Sequence, residues 1–264
     1  MEKFEKKNIT YYPVPYLIGT FMLTWCCAVL MFRIDYSTHT IHFTVLDFLE
    51  NASPLLCALI LLKSYWKKER FFRRFFYGKK ASMFSYTAVF LLFAAQFLNF
   101  YLFRIKDTAF SAHTLLITFM GQFLLGGGLE EAGWRGYLLP CFYAHRHLTP
   151  CPVQKYRILI SSIGVSIVWV LWHVPYFLLP GSLQAGSSFI SYLIIGIITG
   201  FILTAIYMLT DSVLLCMLFH SWQNTIVMTI QPDMENIWFM IWFIGLGAAA
   251  VLLCLHETKW LERV

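Results

Sequence analysis

Charge is scarce in this 264-residue chain: Asp, Glu, Lys and Arg together make up 13% of it, whereas 59% is hydrophobic. The mean hydropathy is +0.65. An average soluble domain carries about twice that charged share, so a soluble globular protein of this length is excluded. The apolar residues occupy continuous runs of about 17 to 22 and do not alternate, which excludes a β-barrel. No polar stretch is long enough for a separate soluble domain. The formal charge of +6 does not signal nucleic acid, because the basic residues sit in short segments between apolar runs and form no basic and aromatic array on a soluble surface.

Other signals are missing too. The seven cysteines (Cys26, Cys27, Cys57, Cys141, Cys151, Cys216, Cys254) are odd in number, lie mostly within apolar runs and show no C-x-x-C spacing, so they read as small buried hydrophobes. There is no H-E-x-x-H, internal repeat or low-complexity segment. The N-terminus, MEKFEKKNITYYPVPYLIGTFML, has lysines before an apolar run as a signal peptide does, but no small-residue cleavage site follows, and the run reads as an uncleaved first span.

What remains is an all-α, polytopic membrane helix bundle, one integral membrane domain over residues 1–264. Eight spans are expected, at about 15–32, 43–62, 82–103, 111–139, 157–179, 188–209, 213–230 and 236–255. The fourth is long enough to tilt or to run into the interface. Alternate loops differ sharply in Lys and Arg. Lys3, Lys6, Lys7, the eight basic residues between Lys63 and Lys80, Arg146, Lys155, Arg157, Lys259 and Arg263 fall on one side, and Arg33, Arg104 and Lys106 on the other. The positive-inside rule puts both termini in the cytoplasm. The basic and aromatic segment KSYWKKERFFRRFFYGKK at Lys63–Lys80 reads as a stop-transfer loop on anionic headgroups. GIITG at Gly196–Gly200 suits close helix contact. Asp47, Glu50 and Asn51 in the second span fit an interfacial helix start and receive no role.

Against this apolar background stands GGGLEEAGWRGYLLP, Gly126–Pro140. Glu131 and Arg135 are four apart and share a helix face, whereas Glu130 is rotated roughly 100° from Glu131 and has no built-in counter-ion. A solvated cytoplasmic helix end is the simplest reading of this stretch alone. The three glycines before the acidic pair either admit a neighbouring helix or a substrate backbone, or kink the helix. Two further spans carry polar pairs at one-turn spacing, Trp169 with His173 and His220 with Asn224, and Pro175 loosens the backbone beside His173. A carboxylate, two imidazoles and a primary amide are the parts needed to split a peptide bond with water. Glu130 would serve as general base, a histidine would hold the water, and the other histidine with the amide would steady the oxyanion. No serine, threonine or cysteine has a comparable claim as nucleophile.

E-E-x-x-W-R-G at Glu130–Gly136, W-x-x-W-H-x-P at Trp169–Pro175 and F-H-x-x-x-N at Phe219–Asn224 resemble, in order, the motifs of the CAAX protease and bacteriocin-processing family of intramembrane endopeptidases. The likeness covers roughly residues 111–230. It implies a CAAX-protease-like peptide hydrolase working near the cytoplasmic membrane face, with Glu130 as base, His173 assisting the water, His220 and Asn224 at the oxyanion, and Glu131, Arg135 and Trp169 in support. Prenylated proteins and bacteriocin or signal peptides are the substrate classes it implies, in the plasma membrane of a bacterium. The expected partners are a membrane-associated peptide or protein and the lipid bilayer, with no nucleic acid. No cofactor is required; a zinc form would use Glu130, His173 and His220 as ligands. The alternative is a non-catalytic peptide-binding scaffold or bacteriocin immunity protein using the same cavity. A transporter or haem protein using the two histidines is a third class.

Overall fold

A computed structural model describes residues 9–34, 39–78, 81–105, 111–145, 153–182, 184–234 and 236–257. Cys151 and several loop cations (Lys3, Lys6, Lys7, Lys79, Lys80, Lys106, Arg146, Lys259 and Arg263) lie outside the described residues. In chain order the α-helices are α1 (Pro13–Met31), α2 (Thr40–Leu61), α3 (Phe71–Tyr77), α4 (Met83–Leu102), α5 (Ala112–Leu124), α6 (Glu130–Gly133), α7 (Leu139–Ala144), α8 (Gln154–Trp172), α9 (Phe189–Thr210), α10 (Val213–Ile230) and α11 (Ile237–His256). No β-strand occurs among the described residues, only an isolated bridge between Arg104 and Pro232. None of the described cysteines is in a disulfide.

Six of these helices (α1, α2, α4, α9, α10 and α11) are long and apolar enough to cross a membrane, and the protein is an integral, multi-pass membrane protein. The other two expected spans differ from the sequence expectation. The fourth is not one tilted helix. It stops at Leu124 and restarts at Glu130, continuing as α6, a π-helical turn over Trp134–Leu138, and α7. The fifth ends as an α-helix at Trp172, because Pro175 has no N–H for the ladder and disfavours helical geometry before it; a short 3₁₀ turn, Val174–Phe177, follows. Five helix starts are capped by side chains: Ser82, Ser111, Ser188, Ser212 and Asn236 each accept a backbone N–H from the first turn, satisfying donors that lipid could not.

Large side chains such as Ile18, Met22, Phe90, Leu91, Ile244 and Leu252 face outward, as a lipid-contacting perimeter requires. Inside, small and polar residues bring the helices together. A Cβ on Gly196 would meet Val170, and one on Gly200 would meet Ser166, so GIITG is the seam between α9 and α8. Ser162 and Thr204 hydroxyls bond across the same seam at 2.8 Å. Gln96 of α4 donates to Gln223 of α10 at 2.7 Å, and Gln223 in turn to Thr199 of α9 at 3.2 Å. Thr24 of α1 bonds Ser53 of α2 at 2.7 Å and receives the Trp172 indole N–H at 2.7 Å, tying α8 to the first pair.

Contacts between loops define the bundle's two ends. At one, the Tyr12 N–H reaches the Tyr137 hydroxyl, the Thr10 N–H reaches Tyr65, Ser212 bonds the Phe76 carbonyl, and Arg157 donates to the Tyr143 carbonyl. This end holds Lys63, Lys67, Lys68, Arg70, Arg73, Arg74 and Arg157. At the other, Met31, Tyr176 and Leu179 cluster with Phe43, and the chain after α4 pairs with the chain after α10. Its described cations are Arg33 and Arg104. The basic segment is therefore not a loose loop: α3 is half-inserted, burying Phe71 and Phe75 while Phe72 and Tyr77 stay exposed.

Candidate active site

Glu130 and Glu131 open α6 immediately after the break in the fourth span. Across the break, the Gly128 N–H donates to the Gln122 carbonyl at 3.1 Å and the Leu129 N–H to the Gly126 carbonyl at 3.0 Å. The glycines are there because α10 comes close. A Cβ on Gly127 would stand 2.5 Å from Asn224 Nδ2 and 3.0 Å from His220 Nε2, and one on Gly128 would strike Ser221. Of the two sequence readings of GGG, admission of a neighbouring helix is the one realised.

Both carboxyl groups are buried, Glu130 at 2% exposure and Glu131 at 0%. A carboxylate at mid-bilayer costs about 2.5 to 3.5 kcal/mol, so each needs partners, and the helix supplies one to each at a spacing of four. Arg135 donates to Glu131 Oε1 at 2.9 Å. Trp134 donates its indole N–H to Glu130 Oε2 at 3.1 Å. Each carboxylate then gains a partner from another helix. His220 Nδ1 on α10 lies 2.9 Å from Glu131 Oε1, and Trp169 Nε1 on α8 donates to Glu130 Oε2 at 2.6 Å. Among the described residues Glu130 thus has no salt-bridge partner but is clamped by two indoles, both on Oε2, leaving Oε1 for a ligand. Glu131 does more than secure its helix through Arg135, because it also orients His220.

The two histidines are fixed in complementary ways. His173 caps the C-terminus of α8, and its Nδ1 lies 2.8 Å from the Trp169 carbonyl oxygen. A carbonyl only accepts, so Nδ1 carries the proton and Nε2 of the neutral ring is a lone pair. The ring is walled edge-to-face by Trp172, Trp169 and Tyr192, with centroids 4.6, 5.4 and 5.4 Å away. His220, with Nδ1 on Glu131, turns Nε2 toward Gly127, alongside the Asn224 amide nitrogen. One Asn224 N–H is spent on Gln122 Oε1 at 3.0 Å, which fixes the amide's orientation and leaves the second N–H available.

Glu130, His173, His220 and Asn224, from three separate elements, line one cavity of about 760 Å³, together with Gln122, Trp169, Trp172 and Tyr192. The cavity runs to the cation-poor end, where Met31, Phe32, Ile34, Leu179–Ser182, Gln184, Ser187 and Met234 form its walls; none of its described lining comes from the basic end. The sequence placed the reaction near the cytoplasmic membrane face, and the described lining of the cavity lies at the cation-poor end of the bundle. Asp47, Glu50 and Asn51, expected at an interfacial helix start, instead line this cavity, and Glu50 is only 1% exposed. No group of three or more His, Cys, Asp and Glu among the described residues could hold an ion, and Glu130 Oε2 already faces two N–H donors.

Sequence reasoning assigned no role to Trp134, Gln122, Trp172 or Tyr192. Trp134 could have been found, since it follows Glu130 at the same spacing that links Glu131 to Arg135. The others come together only through packing. Residues 111–226 match the family described as type II CAAX prenyl endopeptidase, Rce1-like. No curated protein matches the chain.

Proposed function

As a chain whose residues 111–226 belong to the Rce1-like type II CAAX prenyl endopeptidase family, the protein is, we propose, an intramembrane endopeptidase in which Glu130 activates water without a metal. Membership of this family implies intramembrane peptide-bond hydrolysis; the roles below are our reading. The observation that carries it is the convergence on one cavity of a carboxylate oxygen, a lone-pair imidazole nitrogen and two adjacent donors, His220 Nε2 and Asn224 Nδ2.

In this mechanism a water held between Glu130 Oε1 and His173 Nε2 attacks the scissile carbonyl carbon, and its proton passes to Glu130. The carbonyl electron pair moves onto oxygen, and the resulting oxyanion sits beside Gly127, where His220 Nε2–H and the second Asn224 N–H donate to it. A donor at Nε2 requires the imidazolium form of His220, which Glu131 supports through Nδ1. Collapse breaks the C–N bond, and the proton on Glu130 leaves with the amine, yielding one carboxyl and one amino terminus. Gln122 holds the Asn224 amide and the two tryptophans hold Glu130, so the donors and the base are fixed before substrate arrives.

The positive-inside rule assigns the cation-rich end to the cytoplasm and therefore the cavity mouth to the opposite face. Eight passes with both termini cytoplasmic satisfy this if α5 through α7 count as one broken crossing. The substrate is accordingly a membrane-associated peptide or protein approached from the non-cytoplasmic side; prenylated and bacteriocin or signal peptides remain the classes under test. Comparing the membrane peptidome of cells with wild-type protein and with Glu130→Gln tests the reading. Peptides that disappear with the variant name the substrate, and an unchanged peptidome with biological function intact would replace cutting by binding. Cleavage lost on exhaustive chelation and restored by zinc would replace the metal-free step.

A further inference from the structure

On α2, Phe43, Asp47, Glu50 and Asn51 all line the active-site cavity. Their spacing, i, i+4, i+7 and i+8, is one helix face, so the whole face is turned to the cavity and not to lipid. Glu50 is almost completely buried, yet its Oε2 has no hydrogen-bond partner. Its neighbour one turn away on the same cavity-lining face is another carboxyl, Asp47. No Lys or Arg occurs among the described residues lining the cavity, whereas Asp47, Glu50 and Glu130 all do. This is the opposite of the arrangement around Glu131, where Arg135 and His220 balance the charge.

An unbalanced pair of carboxyls in a low-dielectric cavity is costly unless something cationic completes it. The catalytic scheme above makes no use of the pair, and α2 lies outside the segment that matches the family. Asp47 also sits nearer than Glu50 to the start of α2, that is, nearer the cavity mouth. We propose that Asp47 and Glu50 form a subsite for a cationic group of the peptide, either a lysine or arginine side chain or a free α-amino group, on the part of the substrate that extends from Glu130 toward the mouth. Ammonium and guanidinium groups donate to both carboxyls at once, and the charge-assisted bonds they form are strongest where water is excluded. The inference rests on the peptidase reading only for the ligand's being a peptide.

The test uses full-length protein in detergent and fluorescently labelled apolar peptides of one length, with Lys, Arg, norleucine or Glu placed at each position in turn and the N-terminus either free or acetylated. Binding is measured to Glu130→Gln, and cleavage with wild type. At one position, or at the free N-terminus, the cationic peptide should bind on the order of tenfold more tightly than its neutral counterpart. Adding Glu50→Gln or, separately, Asp47→Asn should reduce that ratio to within about twofold, at unchanged melting temperature. Asp47 is only partly buried, so its variant keeps the test sound if Glu50→Gln fails to fold. Loss of preference on acetylation identifies the amino terminus; retention identifies the side chain. Equal binding of cationic and neutral peptides, a preference that survives both substitutions, or no binding of any peptide overturns the proposal. Cleavage without charge preference overturns it and leaves the peptidase reading standing. Charge-selective binding without cleavage by wild type supports it and removes the peptidase reading.

Discussion

Two pairs of acidic residues are buried in this bundle, and they are treated in opposite ways. On α6, Glu130 and Glu131 accept four hydrogen bonds between them, from Trp134, Trp169, Arg135 and His220. On α2, Asp47 and Glu50 stand one turn apart, and Glu50 Oε2 has no hydrogen-bond partner. Unsatisfied charge is expensive in a membrane interior; although Glu131 Oε2 also lacks a hydrogen-bond partner, both carboxyls of the first pair hold donors and Glu131 has an ion pair, whereas the second pair lines a cavity with no Lys or Arg among its described lining residues. On the proposed reading the contrast separates residues that perform chemistry from residues that await a substrate, and substitution can break it at either side.

The largest effect is expected at Glu130. Glu130→Gln keeps the shape and both indole contacts but removes the base, and cleavage should fall about 10² to 10⁴-fold with little change in peptide binding. A single-turnover assay on the cleaved peptide, paired with a binding measurement, reads both; normal turnover would take Glu130 out of the reaction. Glu131→Ala or Arg135→Ala should come next, because each leaves a charge buried without its partner, a loss of about 3 to 5 kcal/mol. Lower yield of folded protein and a lower melting temperature should accompany lost activity, and Glu131→Ala should also free His220. Normal folding and activity in both variants would dissolve the distinction between the two carboxylates of α6.

Asn224→Ala removes one oxyanion donor and leaves Gln122 without its amide, so the turnover rate should drop about 10² to 10³-fold while folding is preserved. A fourth experiment tests the direction in which the cavity faces. Ala185→Cys, in the exposed loop before α9, should react with a membrane-impermeant maleimide in intact cells, whereas a cysteine in place of Arg73 at the basic end should react only after permeabilisation. The reverse pattern would turn the molecule over and return the mouth to the cytoplasm.

Much of the fold was legible because a bilayer leaves few choices: apolar runs long enough to span become helices, and the loop cations distinguish the two ends. The four candidate site residues stood out as polar side chains in runs that otherwise exclude them, paired at helical spacing, and one cavity brings them together. The break at Leu125–Leu129 was less so. Three glycines weaken a helix without saying whether it bends, stops or makes room, and the answer lies with Ser221, His220 and Asn224 on a helix about ninety residues away. The indole clamp on Glu130 was half legible, since Trp134 is one turn along but Trp169 arrives from α8. Asp47 and Glu50 were left without a role for a related reason. An acid seven to ten residues into a span looks interfacial by depth alone, and only the packing of α2 against α1 and α6 turns that face inward.

The smallest effect is the one that discriminates most between the two pairs. Replacing a buried, unpartnered carboxyl by an apolar group of similar size removes a desolvation cost and breaks no ion pair, so Glu50→Leu should leave the melting temperature unchanged or raise it by a few degrees. Glu131→Leu, at the same depth of burial, should lower it by the loss expected for Glu131→Ala. Structural compensation would make the two substitutions alike; a pair held open for a substrate makes them differ in sign. If Glu50→Leu proved as damaging as Glu131→Leu, Glu50 would have to be holding the α1–α2 pair together through a partner it acquires in the membrane, and the second acidic pair would be as structural as the first.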